Sequence, residues 1–326
     1  MRGTPAVSRN ETRLLGANAG AEKAPGETDP QVLYVTHFLN FALMIVLPIL
    51  LGVFLARRLG AKWSLYAVGA VSLVASQVVH LPLNAGLTAL FARGMLPAPP
   101  EAWKLPFNAV VLGLSAGLCE EVARYLVYRY WLKSARTWRE ALMFGAGHGG
   151  MEAIILGALV GLAFVNFVVL RNVDAAALPL PADEQALAAR QIAEYWSAAW
   201  YTTLLGAVER AFSLCFHLSA AVMVLQAFRR KNRLWLVAAI LWHAAVDATA
   251  VYAVSRWGVY WTEAIVGVFA LASVALIFVL RDSATELPLR ADSPGQVAIQ
   301  SPLPTAAPAP DAEFRRQLDE TRFTQG

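Results

Sequence analysis

Charged residues and cysteines are both scarce in this chain of 326 residues. Asp, Glu, Lys and Arg make up 15% of the sequence, whereas soluble domains average about 25%. The hydrophobic share is 57%, so the composition excludes an ordinary soluble domain and indicates a membrane protein with several spans. The two cysteines, Cys119 and Cys215, lie in apolar stretches and provide neither a disulfide framework nor a CxxC metal motif.

The sequence also lacks a phosphate-binding loop, because the glycine-rich stretch Gly145–Gly150 is not followed by the lysine of a P-loop. The formal net charge is +4, but the basic residues cluster in short loops between apolar runs. That pattern is typical of membrane orientation and not of nucleic-acid binding. We therefore expect a lipid bilayer and no nucleic acid among the partners.

Seven apolar stretches are long enough to cross a hydrocarbon core of about 30 Å, for which roughly 20 helical residues suffice. The predicted fold class is therefore an all-α membrane protein with a bundle of about seven transmembrane helices. The seven predicted spans are Val32–Ala56, Leu65–Phe91, Phe107–Leu132, Ala141–Leu170, Ala198–Phe228, Leu234–Val254 and Val259–Leu280.

Both ends of the chain differ from the apolar middle. Residues 1–30 are rich in Gly, Ala, Pro and charge without apolar periodicity, which predicts a disordered N-terminal tail with no signal-peptide hydrophobic region. Residues 31–281 form the predicted membrane domain, and residues 282–326 a Pro-rich disordered C-terminal tail. In the linker Arg171–Glu194, Pro181–Glu184 precedes an Ala-rich run and predicts a short surface helix with acids in its first turn.

Loop charge predicts the orientation of the bundle. The connections after predicted spans 1, 3 and 5 carry clusters of Lys and Arg, whereas the alternate connections carry little excess positive charge. The positive-inside rule places the basic connections in the cytoplasm. Seven spans then put the N-terminus outside and the C-terminus in the cytoplasm, in what we expect to be a bacterial plasma membrane.

Spans 3 to 6 carry ionisable residues far from their ends. A charged side chain at the centre of a membrane helix costs roughly 2.5–3.5 kcal/mol on insertion scales, so these groups indicate a function or mutual pairing. Within each span the spacing puts pairs on one helix face. The residues are Glu120, Glu121 and Arg124 in span 3, His148 and Glu152 in span 4, Glu209, Arg210 and His217 in span 5, and His243 and Asp247 in span 6.

These groups share one depth. Each of the four spans adjoins a basic connection, and at 1.5 Å per residue the polar groups lie about 12–20 Å from it. Unrelated structural polar residues need not coincide in this way. We therefore predict a single site where spans 3, 4, 5 and 6 meet.

Imidazoles and carboxylates on facing helices are ligand types that a divalent metal uses, zinc above all. The predicted metal ligands are His148, Glu152, His217, His243 and Asp247. A spare carboxylate beside the metal can act as a base for hydrolysis. The spacing differs from the HExxH motif of soluble zinc peptidases, and a proton path or a structural polar core remains an alternative interpretation.

Four motifs in this order resemble those of the YhfC family of intramembrane metalloproteases. They are also similar to those of the PrsW proteases and, more distantly, of the CAAX-prenyl and bacteriocin-processing proteases. The motifs are Glu120-Glu121-x-x-Arg124, Gly147-His148-Gly149-Gly150-x-Glu152, Glu209-Arg210 followed by His217, and His243-x-x-x-Asp247. The CAAX-type first motif has one more residue between its glutamates and its arginine, which argues against a prenylated substrate.

The resemblance implies an intramembrane peptidase that cleaves a membrane-protein or lipoprotein-like peptide substrate. By that analogy Glu120 and Glu121 activate the attacking water and Arg124 positions them. The histidines hold a divalent metal, expected to be zinc, or the oxyanion, while Glu209 and Arg210 support the site. A proton- or ion-coupled transporter and a non-catalytic membrane scaffold are the alternative functions.

Overall fold

The structure, a computed structural model, describes residues 29–281, and all regular elements in this range are helical. Three of these elements are single turns of 3₁₀ helix. The α-helices are α1 (Pro30–Leu59), α2 (Trp63–Ala92), α3 (Lys104–Tyr130), α4 (Trp138–Leu170), α5 (Ala182–Trp196), α6 (Leu205–Arg229), α7 (Leu234–Trp257) and α8 (Val259–Val279). The predicted all-α membrane fold is confirmed. The predicted C-terminal tail (residues 282–326) and all of the predicted N-terminal tail (residues 1–30) except Asp29 and Pro30 lie outside the described residues, so the division into tails and membrane domain stays a prediction. Asp29 and Pro30 belong to the start of α1.

Six of the described helices are long and apolar enough to cross a membrane, namely α1, α2, α4, α6, α7 and α8. Helix α3 is outside this set although its 27 residues suffice for a crossing. Its middle carries Glu120, Glu121 and Arg124, which lower its hydropathy. It nevertheless packs along α7 and against α2, and we treat it as the seventh span.

Local signals in the sequence set where the helices begin and end. Asp29 caps α1 by accepting a hydrogen bond from the backbone N–H of Gln31 at 2.8 Å, and Gly60 ends that helix with φ of 65°. Thr137 and Glu140 form a capping box that starts α4. Because α1 ends at Leu59 and α2 begins at Trp63, the connection between these two spans is only three residues long.

The basic residues gather at the connections α1–α2, α3–α4 and α6–α7, and we call this end of the bundle the basic end. The members are Arg57, Arg58, Lys62, Arg129, Lys133, Arg136, Arg139, Arg229, Arg230, Lys231 and Arg233. The α2–α3 loop, α5 and the α7–α8 turn belong to the opposite end. Which end faces the cytoplasm, and hence the orientation of the termini, stays a prediction.

Close backbone approaches bring the functional helices together. Helix α4 packs against α1, α2 and α6. A Cβ atom on Gly149 of α4 would lie 2.6 Å from Cδ2 of His217 in α6, and a Cβ atom on Gly117 of α3 would lie 2.6 Å from the carbonyl oxygen of Ile240 in α7. Only glycine fits at such contacts. The glycine-rich face of α4 thus lets α6 place its histidine beside the centre of α4.

Helix α5 is the short surface helix predicted from the linker, with Asp183 and Glu184 in its first turn. Its C-terminal end is held by aromatic stacking. The ring of Tyr195 lies 4.0 Å from that of His37 and 4.1 Å from that of Phe167, measured between centroids and with nearly parallel planes. Burial raises the pKa of Tyr195 to about 12.

Candidate active site

The candidate site lies at one depth in α3, α4, α6 and α7. Glu120, His148, His217 and His243 are each 9 to 12 residues from the basic end of their own helices, which corresponds to about 14–18 Å along the axis. All four are buried, with exposed fractions of 6%, 0%, 3% and 2% respectively. The helices that carry the four predicted motifs therefore converge inside the bundle.

Glu120, His148 and His217 form the tightest group of potential metal ligands. Each offers one donor atom, and these atoms all lie within 4.8 Å of one another. Nε2 of His148 is 3.1 Å from Oε2 of Glu120. The three side chains come from α3, α4 and α6, so the group exists only because those helices pack together.

Arg124 connects this group to the second glutamate of α3. Its guanidinium donates to Oε1 of Glu121, and its other terminal nitrogen lies 2.6 Å from Nδ1 of His217 and 3.8 Å from Oε2 of Glu120. Arginine can only donate, so Nδ1 of His217 is the acceptor in this contact. Arg124 thereby fixes the orientation of one carboxylate and one imidazole at once.

His243 of α7 lies on the other side of Glu121. Its Nδ1 is 2.7 Å from Oε1 of Glu121. Its Nε2 is 3.3 Å from Oδ2 of Asp247, one helical turn further along α7, and 3.9 Å from Oε2 of Glu120. With Nδ1–H donated to Glu121, the Nε2 edge of His243 faces two further carboxylates.

Glu152 of α4 is held from α6. Arg210 donates to Oε1 of Glu152 at 2.6 Å and also pairs with Glu209, while Oε2 of Glu152 pairs with Nε2 of His217. Arg210 and His217 are seven residues apart, and their shared contact with Glu152 is the one-face arrangement that their spacing predicts.

Helix α2 adds two polar contacts that the sequence analysis did not include. Oγ of Ser72 lies 2.6 Å from Nδ1 of His148, and Nε2 of Gln77 donates to Oε1 of Glu120 at 3.1 Å. Both residues are uncharged and common in membrane helices, so there was little reason in the sequence to place them at the site. The one indication was that they share α2 with His80. A polar residue every three to five positions in an apolar helix favours a polar face.

The contacts join all ten predicted site residues into one network. Within it, five carboxylates (Glu120, Glu121, Glu152, Glu209 and Asp247) face two guanidiniums (Arg124 and Arg210). Five carboxylates exceed two guanidiniums by three negative charges when the histidines are neutral. Glu120 and Glu121 are buried together with both guanidiniums, whereas Glu152, Glu209 and Asp247 are partly exposed. The surplus negative charge therefore lies on partly exposed side chains, where it attracts a cation. The sequence also expected Glu152, His243 and Asp247 to be metal ligands, and this stays a prediction because none of them belongs to the group within 4.8 Å.

Two cavities meet at this network. One of about 90 Å³, here called the inner cavity, lies among α6, α7 and α8 and is lined by His217 and His243. The other, of about 380 Å³ and here called the α2 cavity, lies among α2, α3 and α4. Glu120, Glu152 and Asp247 line both cavities. These three carboxylates form a wall with open space on either side, whereas Glu121 lines neither cavity.

Comparison with known proteins gives a consistent result. The family model described as "YhfC intramembrane metalloprotease" matches residues 43–270. The "Uncharacterized membrane protein YhfC" of Bacillus subtilis (strain 168) is 30% identical over 224 residues, which cover 65% of this chain and 82% of that protein. No solved structure matches the chain. The matched region contains the whole network from Glu120 to Asp247.

Proposed function

The chain belongs to the YhfC intramembrane metalloprotease family, and from this membership we propose that it hydrolyses peptide bonds of membrane-associated protein substrates within the bundle. The observation that carries the proposal is the buried group of Glu120, His148 and His217, whose donor atoms lie within 4.8 Å of one another. It opens on two cavities that are each large enough to hold water.

The residues present fit a divalent metal, and zinc is the metal they suit best. Two imidazoles and one carboxylate are a ligand set found in zinc peptidases, and the surplus of carboxylates over guanidiniums favours a cation. Glu120, His148 and His217 would hold it, with Ser72 orienting the ring of His148. The metal would replace one of the contacts that His217 makes to Arg124 and Glu152. A metal bound there supplies Lewis-acid polarisation of the substrate carbonyl and activation of water.

Glu121 and Arg124 act as positioning residues in this proposal. Both have an exposed fraction of 0%, and neither lines a cavity. Arg124 orients Glu121 and His217, and Glu121 orients His243 through Nδ1. This assigns Glu121 to holding the site together, while Glu120 faces the reacting groups.

Asp247 and His243 are the groups we assign to proton transfer. Asp247 lines both cavities, and its side chain is 38% exposed and 3.3 Å from Nε2 of His243. The oxygen of water adds to the carbonyl carbon, one of its protons passes to Asp247, and the pair delivers a proton to the amide nitrogen as the C–N bond breaks. Proton transfer by positioned side chains contributes typically 10²–10⁴-fold to rate.

The walls of the α2 cavity indicate how a membrane-embedded peptide reaches the carboxylates. Its lining includes the apolar residues Leu81 and Ile155, which are 64% and 41% exposed, and the polar residues Gln77 and His80. Apolar lining that continues to the exposed surface of the bundle suits lateral approach of a hydrophobic segment, which supports a membrane-anchored substrate.

The test is cleavage of membrane proteins, mapped by mass spectrometry of new peptide termini in cells that express the wild type or Glu120→Gln. Termini are expected with the wild type and absent with Glu120→Gln and His217→Ala, whereas the exposed control Glu101→Gln should cleave normally. Metal analysis of the purified protein is expected to find bound zinc that is lost in His217→Ala. Cleavage without metal would instead make Glu120 the base of a metal-free peptidase.

An ion path requires polar groups through the whole membrane, whereas most buried residues between the network and the basic end, such as Phe144, Val222 and Leu225, are apolar. This favours an enzyme over a transporter. Proton flux in liposomes provides the contrary test. The transporter function would be supported, and the peptidase function rejected, by two results together. Proton flux would disappear in Glu152→Gln, and the wild type and Glu120→Gln would show the same cleavage.

A further inference from the structure

One face of α2 carries polar residues beyond those that contact the site. Gln77, His80, Asn84 and Thr88 stand at positions i, i+3, i+7 and i+11 of an otherwise apolar helix, so all four share one side of it. We call this set the polar face of α2. It begins at Glu120 and extends about 16 Å towards the opposite end of the bundle.

Hydrogen-bond contacts link three residues of this face to the site. Nδ2 of Asn84 lies 2.9 Å from Nε2 of His80. Nδ1 of His80 lies 3.2 Å from Oε1 of Gln77, and the Gln77 amide donates to Glu120. These contacts form a continuous chain from Asn84 to Glu120.

Open space accompanies the polar face along its length. Gln77 and His80 line the α2 cavity, which reaches Glu120. Asn84 and Thr88 line a third cavity of about 370 Å³ between the end of α2 and the start of α3, here called the loop cavity. A cavity needs only about 10–15 Å³ to hold a water molecule. Both spaces are therefore large enough to hold water, and the polar residues His80 and Asn84 lie where one cavity gives way to the other.

The side-chain oxygen of Asn84, beside the loop cavity, is buried and accepts no hydrogen bond from the described residues. A buried carbonyl oxygen without a hydrogen bond is costly, and a water molecule would satisfy it. Helix packing alone explains the contact of His80 with Ser115 of α3 at 3.2 Å, but it explains neither the unused oxygen nor the two cavities that flank it.

We propose that the polar face of α2 is the path by which water reaches the site from the opposite end of the bundle. The proposal rests on the proposed function, because each peptide bond hydrolysed consumes one water molecule. Its oxygen enters the new carboxylate, and its protons are divided between the new termini. Asn84 admits water from the loop cavity, and His80 and Gln77 pass it along the polar face of α2 to Glu120.

Thiol labelling tests the path without any need for proteolysis. In a background with Cys119→Ala and Cys215→Ala, single cysteines are introduced as Asn84→Cys, His80→Cys and, as a lipid-facing control, Val79→Cys, which is 60% exposed on the outer surface. The protein is held in nanodiscs, where both faces are open to a charged methanethiosulfonate reagent. A thiol reacts as the solvated thiolate, so we expect reaction at positions 84 and 80 at least roughly tenfold faster than at position 79. Equal, slow rates at all three would overturn the path.

Activity provides the second arm. Asn84→Leu places an apolar side chain between the loop cavity and the α2 cavity. It should lower kcat about tenfold while KM and metal content stay constant. Asn84→Ser should restore kcat, because serine keeps a polar group at this position. A merely structural role would lower the thermal midpoint together with kcat, with no rescue by serine, and would overturn the proposal. Fast labelling in a protein that cleaves nothing would reject the peptidase function and leave the water path standing.

Discussion

Replacing Arg124 by leucine removes the group that pairs Glu121 at the centre of the bundle. Both side chains are 0% exposed, so solvent does not screen their interaction. Loss of one partner leaves a buried carboxylate without its guanidinium, and breaking a buried pair in this way costs about 3–5 kcal/mol. The contact of Arg124 with His217 is lost as well, whereas His243 still donates to Glu121 and limits the loss. We therefore expect the free energy of unfolding of Arg124→Leu to fall by about 3 kcal/mol.

The double variant Arg124→Leu/Glu121→Gln separates pairing from packing. It removes the stranded charge and keeps an oxygen that accepts from His243, so it should recover more than half of the lost stability but no cleavage. The assay is equilibrium unfolding in mixed detergent micelles, followed by circular dichroism. Arg190→Leu, which breaks the exposed pair with Glu194 on α5, is the matched control and should cause no measurable change. If Arg124→Leu is as stable as this control, or if the double variant is no more stable than the single one, the pairing argument is refuted.

Three further variants probe the surroundings of the site. Ser72→Ala removes the hydrogen bond to His148 and should weaken metal binding roughly tenfold in chelator competition; unchanged affinity would remove Ser72 from the site. Gly149→Ala forces a Cβ atom against the imidazole of α6 and should abolish metal binding, whereas Gly86→Ala, which meets nothing within 4 Å, should keep it; equal effects would contradict the packing argument. Tyr195→Ala should speed hydrogen exchange in α5 while Tyr195→Phe keeps the stacking and leaves exchange slow, and equal protection in both would contradict the aromatic anchor.

Apolar length and loop charge were enough to predict the helical fold. The predicted spans agree with the helices to within a few residues, apart from the fifth, whose predicted start at Ala198 precedes α6 by seven residues. There the sequence Ser197–Leu204 forms turns and a 3₁₀ segment instead of α-helix. Aromatic and Thr residues in that stretch are apolar enough to extend a hydropathy window, which does not distinguish a turn from a helix.

Spacing within one helix predicted contacts better than it predicted partners between helices. His243 and Asp247 face each other as their i, i+4 positions indicate. His148 and Glu152 share a face of α4, yet one contacts Glu120 and the other His217. Those partners depend on which helices are neighbours, and α3 packs most extensively on α7, which lies far along the chain. Periodicity carries no information about such pairings.

The low hydropathy of α3 has a consequence for how the chain is made. Each charged side chain at the centre of a bilayer raises the free energy of insertion by roughly 2.5–3.5 kcal/mol. A newly synthesised α3 is therefore not expected to leave the translocon for the lipid by itself. The imidazoles that contact its acidic pair are those of His148 and His243, which follow their partners Glu120 and Glu121 by 28 and 122 residues. Until α7 arrives, we expect the nascent helix to stay beside the insertion machinery. A chain that stops before α7 leaves Glu121 without its imidazole partner, which is the kind of defect that membrane quality-control proteases remove.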